Sequence, residues 1–165
     1  MRISSRGQYG IRALAVLAAR HGQGPVQVRE IARVERLSAK YLEQLLGRLR
    51  TGGLVRSVRG ARGGYVLARD PGAITVREIL LLLEGSLAPV GCVDEAGNCA
   101  DEDRAECAVH GLWTGLHATV LRYLDSFTLA DLARVAAQAG AAHRAAAAPV
   151  PAAPEAELVT AATRG

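Results

Sequence analysis

Residues 38–67 read SAKYLEQLLGRLRTGGLVRSVRGARGGYVL, and the period of the apolar residues changes once along them. From Ser38 to Arg50 the apolar positions are Leu42, Leu45, Leu46 and Leu49, the spacing of one buried helix face. Ser38 is a residue of the kind that caps such a helix, and Thr51-Gly52-Gly53 stops it. After Leu54 the period falls to two. Val55, Ser57 and Arg59 alternate with Arg56 and Val58, and Tyr65, Val66 and Leu67 resume beyond a glycine-rich tip. That pattern predicts a β-hairpin with Arg59, Gly60, Arg62, Gly63 and Gly64 at or beside its turn.

Working upstream, Val28, Ile31, Ala32 and Val34 supply the apolar positions of a short helix over about Val28–Glu35, and Arg36-Leu37 forms the turn into the next. A first helix is expected from Ser4 or Ser5 to about Arg20, broken by Gly22, Gly24 and Pro25. Two helices joined by a tight turn, followed by a hairpin with an arginine-rich tip, make a winged helix-turn-helix. The expected fold is therefore mainly α with a two-stranded wing, its third helix being the natural reader of a major groove. Downstream, Asp70-Pro71-Gly72 is a turn, and Thr75 opens a capping box with Glu78 on an apolar helix running to about Glu84. Residues 91–106 show no period and read as loop. A longer helix is expected from about Glu106 to Asp125, and a last one over Ser126–Gln138, with Thr128 and Asp131 as a second box. The expected organisation is a DNA-binding region over 1–72, a ligand loop with dimerisation helices over 73–138, and a disordered Ala/Pro-rich tail over 139–165.

The net charge of +4 conceals an asymmetry. Residues 1–90 carry 15 basic against 6 acidic side chains, and residues 91–165 carry 5 against 10. A basic half joined to an acidic half is the signature of a polyanion-binding module attached to something else, although a merely solvated surface would look similar. No run of about 18 apolar residues occurs, so a spanning helix is not expected. The apolar stretch Gly10–Ala19 carries Arg12 and reads as an amphipathic helix, not a secretory leader, which places the chain in the cytoplasm.

On the third helix Ser38, Lys40, Tyr41, Gln44 and Arg48 fall between the leucines and so face outward. Glutamine pairs bidentately with adenine, and lysine or arginine takes guanine or phosphate. Arg59 and Arg62 at the hairpin tip suit a narrow minor groove, and Gly60, Gly63 and Gly64 would let the backbone come close. The partner expected is double-stranded DNA. A winged helix used for protein contacts is the plainer alternative, but a strongly basic surface would be an odd choice for it.

Residues 91–113, GCVDEAGNCADEDRAECAVHGLW, gather Cys92, Cys99, Cys107 and His110. Reduced cytosolic thiols in such a cluster point to metal ligation or redox sensing more than to disulfides. If a helix has begun by Glu106, Cys107 and His110 share one of its faces. Three thiolates and an imidazole make a complete ligand set for zinc or a [2Fe–2S] cluster, and the absence of a C-x2-C pair favours the latter. Trp113 reads as a hydrophobic anchor of the long helix, and His117 as an interface or surface histidine. Ordinary loop cysteines are the bland alternative.

The opening MRISSRGQYGIRAL, the run LSAKYLEQLLGRLRTGGLVRSVRGARGGYVLARDP and CAVHGLW together resemble the Rrf-two family of bacterial winged-helix regulators, nearest to its IscR-type iron–sulfur cluster regulators. The likeness covers about residues 1–135. It implies a homodimer paired through the long helix, and a transcription regulator whose cluster shifts DNA affinity while sensing cluster supply, iron, redox state or nitric oxide. It gives His110 the fourth-ligand role. Nitric-oxide-sensing relatives carry a [4Fe–4S] cluster completed by an aspartate from the partner's first helix. Gln8 stands near that place here, a poor anionic ligand, which favours [2Fe–2S] over [4Fe–4S]. A metal-binding scaffold or electron carrier without specific DNA recognition is the alternative from another class. No nucleotide-binding fingerprint or nucleophile–base set supports an enzyme, and no small-molecule substrate is expected.

Overall fold

The computed structural model describes residues 3–98 and 107–146, the last eight as backbone only. Six helices and one hairpin are assigned among them: α1 (Ser5–Ala19), α2 (Val28–Glu35), α3 (Ala39–Thr51), β1 (Val55–Val58), β2 (Gly64–Leu67), a short 3-10 turn at Pro71–Ala73, α4 (Val76–Glu84), α5 (His110–Asp125) and α6 (Leu129–Ala146). The winged helix-turn-helix is present, with α2 and α3 as the helix pair and β1–β2 as the wing.

Local capping sets the helix starts. The Ser4 hydroxyl oxygen accepts from the Gly7 N–H, and that of Ser38 from the Tyr41 N–H at 3.2 Å. Thr75 caps α4 by accepting from the Glu78 N–H at 3.2 Å. Only half of that predicted box forms, because the Glu78 carboxylate turns outward to Arg69. The box at Thr128 closes in both directions: Asp131 Oδ2 accepts from the Thr128 N–H at 2.9 Å and its hydroxyl at 2.7 Å, while the Asp131 N–H donates back at 3.3 Å.

The core gathers the stripes that the period marks out. Leu14 and Leu17 of α1, Ile31 of α2, and Leu42, Leu45, Leu46 and Leu49 of α3 are buried together with Leu54 and Leu67 of the hairpin, Ile74, Ile79 and Leu129. A smaller cluster of Val76, Leu80 and Leu87 lies beside it, covered in part by Leu121 and Leu124 of α5. The helix α6 returns to pack along α1, and the Thr75–Thr128 bridge joins its start to that of α4. It runs eight residues beyond Gln138, where the tail was expected to begin, because alanine has the best helix propensity of any residue. The expected disordered tail otherwise lies outside the described residues.

The capping box at α6 has a pH signature. Donation from the Thr128 hydroxyl and N–H, with Arg134 alongside, holds the Asp131 carboxyl down to about 2. A carboxyl lowered on folding contributes stability above its unfolded value, about 4, and loses it as pH falls through the folded one. Asp131→Asn is therefore expected to melt below the parent at neutral pH. The two melting temperatures should converge between about pH 4 and about pH 2. A constant gap across that window, measured by circular dichroism, would show that the box does not hold α6.

Candidate nucleic-acid interface

The leucine face of α3 is buried against α1 and the wing, so the opposite face is presented to solvent by default. Lys40, Glu43, Gln44, Arg48 and Arg50 are all exposed there. Ser38 is also exposed, but its oxygen is engaged as the cap of α3, which leaves the hydroxyl proton free to donate outward. Tyr41 is only half exposed, because its ring packs edge-on against Tyr9 of α1 at 6.1 Å between centroids.

The hairpin stands next to this face. Its register pairs Val55 with Leu67, Arg56 with Val66, Ser57 with Tyr65 and Val58 with Gly64. Arg59 and Arg62 lie in the loop between the strands, which is closed by the Gly63 N–H donating to the Gly60 carbonyl at 2.9 Å. Gly60 has φ +118°, a conformation that favours glycine. At Gly64 the close approach is to the chain itself: Val26 exchanges two backbone hydrogen bonds of 2.9 Å with Tyr65, adding a one-residue third strand at the base of the wing. A single bridging residue has no period, so no sequence pattern marks it.

Charge is distributed unevenly over the surface. Arg6, Arg12, Arg20, Arg69, Arg77 and Arg134 each lie within ion-pair distance of a carboxylate. Lys40, Arg48, Arg59 and Arg62 have no carboxylate partner among the described residues. Arg29, Arg33, Arg36, Arg50, Arg56 and Arg122 also lack one, and the unpaired cations of α3 and of the wing tip contribute uncancelled positive charge beside the outward face of α3. One cation that the periodicity did not single out also belongs here: Arg6 of α1 lines a small cavity with Tyr41, Gln44, Leu45 and Arg48.

The expected cluster, [2Fe–2S] or alternatively [4Fe–4S], on Cys92, Cys99, Cys107 and His110 is corrected. No three His, Cys, Asp or Glu side chains among the described residues come together in a way that could hold a metal ion. Cys99 lies outside the described residues. Cys107 does not share a helical face with His110, because α5 starts only at His110 and Cys107 sits in the preceding turn, where its carbonyl accepts from the His110 N–H at 3.0 Å. Cys92 and Cys107 are free, half-buried thiols. The described part of the loop is instead held by protein contacts. Val93 is buried, and Glu95 accepts from the Leu87 N–H at 3.0 Å and from the Ser86 hydroxyl. The Asn98 N–H donates to Asp94 at 2.7 Å and keeps that carboxyl below its usual range. His117, expected at a surface or interface, is 1% exposed, and neither ring nitrogen has a hydrogen-bond partner.

The outer face of α5 is apolar. Leu112 and Tyr123 are 62% and 65% exposed, and Val109, Leu116 and Phe127 are exposed with them. With half-buried Val120 these residues fall at steps of three and four, which forms one stripe. Among the described residues no helix is long and apolar enough to cross a membrane.

Comparison with known proteins places these features in context. Residues 3–135 match the Rrf2 family model, described as an iron-dependent transcriptional regulator. The HTH-type transcriptional regulator CymR of Bacillus subtilis is 44% identical over 133 residues, spanning 81% of this chain and 90% of CymR. The solved structure of that protein, the global cysteine regulator of B. subtilis, has a TM-score of 0.69 at 43% identity, covering 82% of this chain and 98% of the other. The HTH-type transcriptional regulator IscR of Xenorhabdus nematophila is 39% identical over 134 residues, 81% of this chain and 80% of IscR. The structure of T. potens IscR has a TM-score of 0.67 at 40% identity, covering 84% of this chain and 90% of that one.

Proposed function

Because this chain belongs to the Rrf2 family of transcriptional regulators, we propose that it binds double-stranded DNA as a homodimer in the cytoplasm, reading the sequence with α3 and the wing tip. The family consists of DNA-binding transcription factors and not enzymes. The observation that carries the reading is the outward face of α3, where Lys40, Gln44 and Arg48 are exposed beside a hairpin whose tip carries Arg59 and Arg62, with no carboxylate paired to any of these four cations among the described residues. Phosphate contacts position such a module and base contacts give it specificity.

In this reading residues 1–72 recognise DNA and residues 73–138 pair the two copies. Gln44 is the adenine reader, with Lys40 and Ser38 near the start of α3 on guanine or phosphate and Tyr41 beside them. Arg48 lies one turn beyond Gln44. Arg59 and Arg62 enter the minor groove next to the one that α3 occupies. The stripe on α5 covers itself against the same stripe of a second copy, which sets two recognition helices about one DNA turn apart.

The wing supplies the direct test. Arg59→Ala and Arg62→Ala are each expected to weaken binding to the protein's own upstream DNA by about 1–3 kcal/mol. The loss on a scrambled duplex should be smaller, because groove width depends on sequence. Fluorescence anisotropy on the two duplexes measures both. Parental affinity in both variants would remove the wing from recognition.

A further inference from the structure

We infer that Arg6 of α1 and Arg48 of α3 form a seat for a single phosphodiester of the bound DNA, a contact that ties the first helix to the recognition helix. The inference rests on the DNA-binding reading above and adds to it a contact from α1, which lies outside the helix-turn-helix and the wing.

The cavity lined by Arg6, Tyr41, Gln44, Leu45 and Arg48 has a volume of about 130 Å³. A water occupies about 30 Å³ of liquid, so the cavity holds a little over four waters. That is room for one tetrahedral anion with some of its hydration. Four of its five lining residues, Arg6, Tyr41, Gln44 and Arg48, carry side-chain donors. No carboxylate lines it.

Two cationic side chains that line one small cavity disfavour each other in the free protein. Arg48 has no carboxylate partner among the described residues. Arg6 has one nearby, but it is mostly engaged elsewhere. Glu84 Oε1 accepts from the Ser4 hydroxyl at 2.7 Å and the Ser4 N–H at 3.3 Å, while Oε2 stands 3.7 Å from Arg6 Nη2, beyond hydrogen-bonding distance. The Arg6 Nε–H is buried and donates to nothing. An arginine held by one long ion pair, beside a second with no carboxylate partner, is an arrangement that an oxyanion joins with charge-assisted hydrogen bonds to the outer guanidinium nitrogens. Glu84 holds the Arg6 side chain in place through this long ion pair. The cavity lies on the exposed side of α3, continuous with the residues proposed to meet DNA, so the anion within reach is a backbone phosphate. Free inorganic phosphate shares the same chemistry.

The test compares the full-length parent, Arg6→Gln, Arg48→Gln and the double variant. The probes are a fluorescein-labelled duplex of the protein's own upstream region and a scrambled duplex, followed between about 50 and 200 mM salt. Each single variant is expected to lose about tenfold in affinity on both duplexes alike, since a phosphate carries no sequence. The double variant should lose little more than either single, because one seat broken twice is still one seat. Its slope of log affinity against log salt should fall by about one phosphate, not two. Additive losses with a slope change of about two would overturn the shared seat, and so would parental affinity in Arg6→Gln. If Arg6→Gln fails to fold by circular dichroism, Arg6→Lys keeps the charge beside Glu84 but loses the fork, and should weaken binding several-fold. Parental affinity in Arg6→Lys would then overturn the seat. A parent that binds neither duplex would overturn the DNA-binding reading and this inference with it. For the free ion, the melting temperature of DNA-free parent is compared in phosphate and chloride at equal ionic strength. A saturating rise at low phosphate, absent from Arg6→Gln, would assign the seat to inorganic phosphate instead; no such rise supports the DNA backbone.

Discussion

Leu116→Asp is expected to convert the protein to a monomer and to lower its affinity for its own upstream DNA by about 10²–10⁴-fold. Leu116 sits at the middle of the stripe formed by Val109, Leu112, Val120, Tyr123 and Phe127. Scattered exposed apolar residues are normal, but a continuous stripe along one helix is the mark of an interface. In a symmetric pairing the substitution places two carboxylates in that interface, where burial of an unpaired charge is costly. The DNA effect follows from geometry. Once one recognition helix of a dimer is seated, the second is held near its half-site at an effective concentration in the millimolar range, and a monomer forfeits that gain. The fold itself should survive, because Leu116 is exposed and α5 packs inward through other residues, His117, Leu121 and Leu124. Sedimentation velocity reads the mass and anisotropy reads the affinity. A variant that stays dimeric and binds as the parent does would place the interface elsewhere.

What the sequence discloses about this molecule depends on how local the cause is. Ser4, Ser38, Thr75 and Thr128 each cap a helix through hydrogen bonds spanning three residues, so helix starts are legible from neighbours along the chain. The leucine stripe of α3 and the alternation in the wing are equally local, and from them the outward face of α3 follows directly. The cysteine segment fails for the opposite reason. Spacing alone offers four donor side chains, but their convergence depends on where α5 begins and on what holds the loop. Val109 gives no side-chain cap, the helix starts late at His110, and Cys107 is left in a turn. Val93 and Glu95 then pin the loop to the end of α4, a tertiary contact with no signature in spacing. His117 shows the same limit. Its position on α5 is legible, but its burial depends on how α5 packs against the rest of the chain, which spacing does not show. Arg6 reads as an ordinary polar residue near the start of a helix until α1 and α3 are seen to meet.

Gly64→Ala is expected to destabilise the fold by about 3–5 kcal/mol and to remove the contribution of the wing to DNA binding. A Cβ at this position would lie 2.2 Å from the Val26 carbonyl oxygen and 2.6 Å from its carbon. These are backbone atoms of a residue buried in the core, so no rotamer change relieves the contact. Overpacking of this kind costs about 1–3 kcal/mol. Relief by separation would break the two hydrogen bonds between Val26 and Tyr65, each worth about 1 kcal/mol. It would also free the base of the hairpin, so that Arg59 and Arg62 are no longer aimed beside α3. Gly47 of α3 makes an informative contrast, since a Cβ there meets nothing within 4 Å. Gly47→Ala, the same chemical change in a helix interior, should raise stability by up to about 1 kcal/mol. Urea denaturation of both variants checks the two signs in one experiment. A Gly64→Ala protein that unfolds at the same urea concentration as the parent would show that the wing is not stitched to Val26.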